Sequence, residues 1–141
     1  MWKRTRPSRD VACGLILLIV LVTGCQTTHV KPVDIFPEDN CALCRMAVSN
    51  PAFASEIITA DGDALKFDDL SCLEEYCAAH RDLRVAAIFV KDYDSKTWLP
   101  KDQSIIVETG LDTPMGSGKV AVRDSARARA LVTQFAPHSA N

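Results

Sequence analysis

The chain has 141 residues, is 48% hydrophobic and 24% charged, and carries a formal net charge of -2, which suits one globular domain or two very small subdomains. The charge is uneven: Lys3, Arg4, Arg6 and Arg9 face Asp10 alone in the first ten residues, so the chain beyond residue 24 keeps 12 Lys/Arg against 17 Asp/Glu and is about five units acidic. That balance gives no support for nucleic-acid binding, whose phosphate contacts need a basic face.

The basic start leads into an apolar run over 11–22. The run is too short to span a bilayer core of ~30 Å as a helix and fits a secretory signal segment. It ends Val22-Thr23-Gly24-Cys25, which resembles a bacterial lipobox. In such a sequence the cysteine thiol is acylated and cleavage makes that residue the new N-terminus. An ordinary signal peptide, or a short membrane anchor with Cys25 incidental, is the alternative. On the lipobox reading, residues 1–24 are a signal peptide, 25–39 a tether, 40–136 the folded domain and 137–141 a flexible tail. The protein is then expected on the periplasmic face of the cell envelope, held to the membrane by lipid on Cys25. Gln26 rather than Asp after that cysteine points to the outer membrane. Of the six cysteines, this leaves Cys41, Cys44, Cys72 and Cys77 as thiols in an oxidising compartment. They can form disulfides, or stay reduced for a reason such as a bound metal.

Residues 26–39 hold Pro32 and Pro37 and no apolar periodicity, as a tether would. Next comes Cys41-Ala42-Leu43-Cys44-Arg45-Met46, two thiols and a thioether within six residues. Soft sulfur donors select soft ions, Cu(I) above all, and also zinc or iron–sulfur iron. Zinc uses the C-x-x-C spacing as half of a four-ligand set. This chain has no second C-x-x-C and no histidine pair at zinc spacing. Met46 is a good Cu(I) ligand and a poor zinc ligand. A local disulfide, a redox dithiol, or a structural cysteine pair beside a core methionine are the competing readings.

Residues 53–59 are β-prone, Ala60-Asp61-Gly62-Asp63 is a hairpin turn, and 64–67 resumes as the second strand. Asp68-Asp69 offers an N-cap for a helix over 70–80, on which Leu70, Leu73, Tyr76 and Cys77 share one face. Cys77 is expected to pack as a small hydrophobe. Cys72 lies off that stripe in the first turn, where the helix dipole favours a thiolate; it is an inert thiol or an auxiliary ligand. Residues 83–90 read as a buried strand, Trp98 as cover for a core edge, and 104–108 as another strand. A loop with three glycines and Pro114 spans 109–118 before a short strand at 119–122. Asp124 caps a last helix over 125–135, with Ala128, Leu131, Val132 and Phe135 at helical spacing.

The order strand, turn, strand, acidic cap, helix occurs twice, which suggests two small units sharing one core. In the second, Met115 sits in Thr113-Pro114-Met115-Gly116, a polar loop with no apolar stripe to join. It is a candidate extra thioether ligand or a gap-filling core methionine.

The lipobox at Cys25, Cys41-Ala42-Leu43-Cys44-Arg45-Met46, Phe67-Asp68-Asp69, Cys72 and Thr113-Pro114-Met115-Gly116 together resemble the NosL family, accessory lipoproteins of nitrous oxide reductase. The resemblance covers about residues 38–135. The family pattern reads C-x-x-C-G-M, and this chain has Arg45 where glycine is usual. The resemblance implies an α+β, NosL/MerB-like fold of two β-β-α-β units. It implies a periplasmic Cu(I) metallochaperone, not an enzyme, that delivers copper to nitrous oxide reductase or its copper-site assembly machinery. The family's metal residues carry over to Cys41, Cys44 and Met46, and to Met115. Two or three soft ligands on an exposed loop would let the ion be held and then released. His29, His80 and His138 fall in tether, helix end and tail; any could ligate copper, and the alternative reading is a solvated side chain. The rivals are a thiol–disulfide oxidoreductase using Cys41 and Cys44, and a structural envelope lipoprotein with those two cysteines joined.

Overall fold

The computed structural model describes residues 29–136. The expected signal peptide over 1–24, the expected lipidation site Cys25 and the 137–141 segment lie outside the described residues. The chain folds as β1 (Ser55–Thr59), β2 (Ala64–Phe67), α1 (Leu70–Ala79), β3 (Val85–Lys91), β4 (Trp98–Pro100), β5 (Ile105–Glu108), β6 (Lys119–Val122) and α2 (Ser125–Gln134). Both sheets are antiparallel: one has four strands in the order β2-β1-β3-β4, and the other is the β5-β6 hairpin. This is the expected α+β class. β1-β2-α1-β3 completes one β-β-α-β unit, and β5-β6-α2 repeats its first three elements.

Strand alternation assigns the faces. β1 runs through the middle of its sheet, and Ile57 pairs with Leu65 on one side and Ile88 on the other. Those residues, with Phe67, Val90 and Leu99, point to one face, where they meet Leu70, Cys72 and Leu73 of α1. Each fully buried large apolar side chain there contributes about 1.5–3 kcal/mol. The opposite face of the sheet carries Glu56 and Lys66, which are cross-strand partners. Residues 33–39 cross that face: the Val33 amide donates to Glu56 Oε1 at 2.8 Å, and Lys66 Nζ donates to the Asp34 carbonyl at 2.7 Å. Lys66 also pairs with the Asp39 carboxylate. Glu56 is fully buried, and burial raises its carboxyl above the usual range despite the Val33 amide and the two nearby lysines.

The second hairpin serves two clusters at once. Ile106 and Ala121 are cross-strand partners that join the first core. Val107, Val120 and Val122 face the other way and pack with Ala128 and Leu131 of α2. A parallel bridge between Asp92 and Ala121 ties the two sheets. Asp92 Oδ1 accepts the amides of Asp94 and Ser95, and Oδ2 accepts the amide of Arg123. Both helices start where an aspartate caps them: Asp69 accepts from the Ser71 amide and Asp124 from the Arg127 amide. Trp98 is half-buried on edge strand β4, with the Lys91 ammonium 4.1 Å from its ring centroid.

Candidate metal centre

The cysteine pair lies on a tight hairpin closed by the Asn40–Ala47 bridge. Inside it the Cys41 amide donates to the Met46 carbonyl at 2.8 Å, and the Arg45 amide donates to the Cys41 carbonyl at 3.0 Å. The turn needs one left-handed residue, and Arg45 supplies it at φ 67°. A side chain there costs more than glycine would, which is why glycine suits this position. A further bond, Ala42 amide to Lys66 carbonyl at 2.7 Å, pins the hairpin to the end of β2. The C-x-x-C therefore sits on a hairpin turn and not at a helix start, unlike the arrangement a thioredoxin-type dithiol uses.

This docking sets the two cysteines beside the start of α1. The thiol sulfurs of Cys41, Cys44 and Cys72 and a carboxylate oxygen of Asp68 all lie within 4.8 Å of one another. Donors on one ion at about 2.3 Å are at most about 4.6 Å apart, so small side-chain shifts let one ion reach them. Cys44 Sγ approaches both Asp68 oxygens, at 3.7 and 3.8 Å. Cys41 is fully buried and Cys72 is 2% exposed, whereas Cys44 is half-buried. The expectation of ligands on an exposed loop thus needs correction for the thiols, Cys41 above all. The hairpin folds inward because Cys41, Ala42, Leu43 and Cys44 pack on the first core.

Burial raises the Cys41 thiol above its ordinary value, although the amides of Cys44, Asp68 and Leu43 directed at it act the other way. Burial also raises Cys72, and Cys41 and Asp68 beside it push it further. The helix-dipole expectation of a stabilised Cys72 thiolate is outweighed by burial and acidic neighbours. A bound cation reverses that logic, because a coordinating thiol gives up its proton. Cys77 packs against the first core as a small apolar side chain, its thiol raised by burial.

The methionines are at the surface. Met46 is 52% exposed and Met115 is 44% exposed. Met46 lines a cleft of about 330 Å³ together with Asp68, Thr113 and Pro114. The cleft thus brings the cysteine hairpin, one carboxylate of the donor cluster and the residues before Met115 to one opening. Among the histidines, His80 stacks on Tyr76 at the end of α1, His29 is exposed, and His138 lies outside the described residues.

Sequence reasoning named Cys41, Cys44, Met46 and Met115, and gave Cys72 only as an auxiliary candidate. It passed over Asp68 as a donor. Spacing gave little signal for it, because Asp68 precedes the extended cap residue Asp69 and lies outside the helix that carries Cys72.

A family model for NosL matches residues 32–137. Comparison with the curated proteins finds no match. Among solved structures, the crystal structure of the copper chaperone NosL from Shewanella denitrificans superposes with a TM-score of 0.68 at 16% identity, covering 76% of this chain and 89% of that one. At that identity the likeness is one of fold.

Proposed function

The chain belongs to the NosL family, and from that premise we propose that it is a Cu(I)-binding metallochaperone, a carrier and not an enzyme. The observation that carries the reading is the convergence of three thiols and one carboxylate within 4.8 Å, the carboxylate, Asp68, also lining the cleft that Met46 lines. Thiolates select a soft ion, and thioethers favour Cu(I) over Cu(II) as neutral ligands. Cys41 and Cys44 provide the main affinity, with Cys72 and Asp68 closing the inner side. Met46, which lines the cleft, and Met115, next in the chain to its Thr113-Pro114 wall, are in this proposal the thioethers that meet the ion on entry or exit. Copper is cargo here: Cys44, the most accessible of the cluster thiols, is the donor that a recipient's ligand would displace first.

The recipient in this proposal is nitrous oxide reductase or its copper-site assembly machinery, and the carrier is anchored by lipid on Cys25 at the periplasmic face of the outer membrane. Family membership supports the first, and Val22-Thr23-Gly24-Cys25 supports the second. Anaerobic titration against a chromophoric Cu(I) competitor tests the binding step. One tightly held Cu(I) per chain is expected, lost in the Cys41→Ser/Cys44→Ser double variant. Retention of wild-type affinity in that variant would overturn the site. Mass spectrometry of membrane-extracted protein should find the acylated N-terminus at Cys25, and a soluble product cut elsewhere would remove the anchoring proposal.

A further inference from the structure

Asp69 makes more hydrogen bonds than a helix cap requires. Capping α1 needs one acceptor for an early amide, and the Ser71 amide, 2.8 Å from Asp69 Oδ1, already meets that need. Yet the carboxylate, fully buried, accepts four more bonds. Ser71 Oγ donates to Oδ1 at 2.9 Å and Ser117 Oγ to Oδ1 at 2.6 Å. Thr113 Oγ1 donates to Oδ2 at 2.7 Å and the Met115 amide to Oδ2 at 3.1 Å. Three of the five bonds therefore reach across to the loop that carries Met115.

That loop is built to present those donors. Thr113 Oγ1 also accepts the Gly118 amide at 3.1 Å, and Ser117 Oγ accepts the Lys119 amide at 3.1 Å, so each hydroxyl is oriented by the backbone behind it. The Gly116 amide closes a turn on the Thr113 carbonyl at 2.8 Å. Gly118 has φ 65°, and a Cβ there would collide with the Thr109 carbonyl. The residue before Asp69 is Asp68, which belongs to the thiol cluster and lines the cleft with Thr113 and Pro114. One aspartate pair thus faces the donor cluster with its first member and grips the Met115 loop with its second.

We propose that Asp69 is the positioning residue that fixes Met115 at the mouth of the thiol cluster, so that the second β-β-α unit lends a thioether to an ion held by the first. The proposal rests on the Cu(I) reading above. Asn at 69 keeps one oxygen for the Ser71 amide, and asparagine caps helices as well as aspartate does. Its NH2 group, in place of Oδ2, meets the Met115 amide donor to donor. Asp69→Asn therefore breaks the tie to the Met115 backbone itself, keeps the Ser117 bond to the remaining oxygen, and leaves α1 capped.

The test is a double-mutant cycle of Asp69→Asn with Met115→Leu, read by competition titration with Cu(I). Asp69→Asn should weaken Cu(I) binding by about tenfold, and should add nothing further in the Met115→Leu background. Ser71→Ala, which loses only the cap-side hydroxyl, should bind like wild type. If the Asp69→Asn and Met115→Leu losses multiply, or if Asp69→Asn binds as wild type does, the proposal is overturned. Where Asp69→Asn folds poorly, Thr113→Val removes the Thr113 tie to Asp69, together with the acceptor of the Gly118 amide, and leaves the Met115 amide bonded; its loss must likewise vanish beside Met115→Leu, and persistence there overturns the proposal. Methyl NMR of the metal-free protein gives a readout without copper. In Asp69→Asn the Met115 methyl signal should shift toward a solvated position while Met46 stays, and an unmoved Met115 signal overturns the proposal. Wild-type protein that takes up no Cu(I) sinks the copper reading itself, an outcome the methyl spectrum separates from failure of the Asp69 link.

Discussion

Arg45→Gly should stabilise the metal-free protein. Arg45 occupies φ 67°, in the left-handed region, where a side chain costs roughly 1–2 kcal/mol. Glycine removes that cost but loses more conformational freedom on folding, roughly 0.4–1 kcal/mol. The net expectation is a gain of about 0.5–1 kcal/mol. Little else should change: Arg45 is exposed, its side chain makes no hydrogen bond or ion pair among the described residues, and its amide bond to the Cys41 carbonyl survives the substitution. Urea unfolding should show a higher midpoint with an unchanged slope. Arg45→Val is the counter-test, because a β-branched residue is least tolerated there and should cost about 1 kcal/mol or more. Cu(I) affinity of the glycine variant should match wild type, since the same turn presents Cys44 and Met46. A glycine variant less stable than wild type, or a valine variant no worse, would refute the strained-turn account of the hairpin.

Met115→Leu keeps volume and removes sulfur, so it should weaken Cu(I) binding by about 1–2 kcal/mol, on the order of tenfold; if leucine binds like wild type while Met115→Ala loses stability, Met115 is packing only. Asp92→Ala should cost about 1–2 kcal/mol by leaving the part-buried amides of Asp94, Ser95 and Arg123 without their acceptor. Burial acts to raise the Asp92 carboxyl, but hydrogen bonds from Ser95, Asp94 and Arg123 outweigh it and hold it below its usual value. Its contribution is therefore full above the unfolded value of about 3.9 and is lost as pH falls through the lower folded value; acid titration of stability should show this limb in wild type and lose it in Asp92→Ala. Leu131→Ala, in the cluster behind the second hairpin, should cost about 2–5 kcal/mol of stability and leave Cu(I) affinity unchanged.

Much of the fold follows from local chemistry. Ala60-Asp61-Gly62-Asp63 reads as a turn because Gly62 takes φ 94° between two β-prone runs. Asp69 and Asp124 each announce a helix because a short acceptor satisfies amides that the helix leaves open. β4 is less visible: Trp98–Pro100 is three residues long and contains a proline, and its register comes from pairing with Phe89, Val90 and Lys91. Residues 33–39 have no periodicity to read, because side-chain bonds from Glu56 and Lys66 hold them to the sheet. At the site, Cys41 and Cys44 are legible from spacing alone. Asp68 and Cys72 join them because the hairpin docks at the end of β2, by packing on the first core and by a long-range bond from the Ala42 amide to the Lys66 carbonyl. Spacing also left the depth of the site unstated, since burial of Cys41 depends on β1, β2 and α1 closing over it.

X-ray absorption at the copper edge of the Cu(I)-loaded protein tests the central claim most directly. The account predicts a first coordination shell dominated by sulfur, with sulfur scatterers lost in the Cys41→Ser/Cys44→Ser double variant and one fewer in Cys72→Ser. A wild-type shell made only of nitrogen and oxygen, or a sulfur shell that survives removal of Cys41 and Cys44, would contradict it.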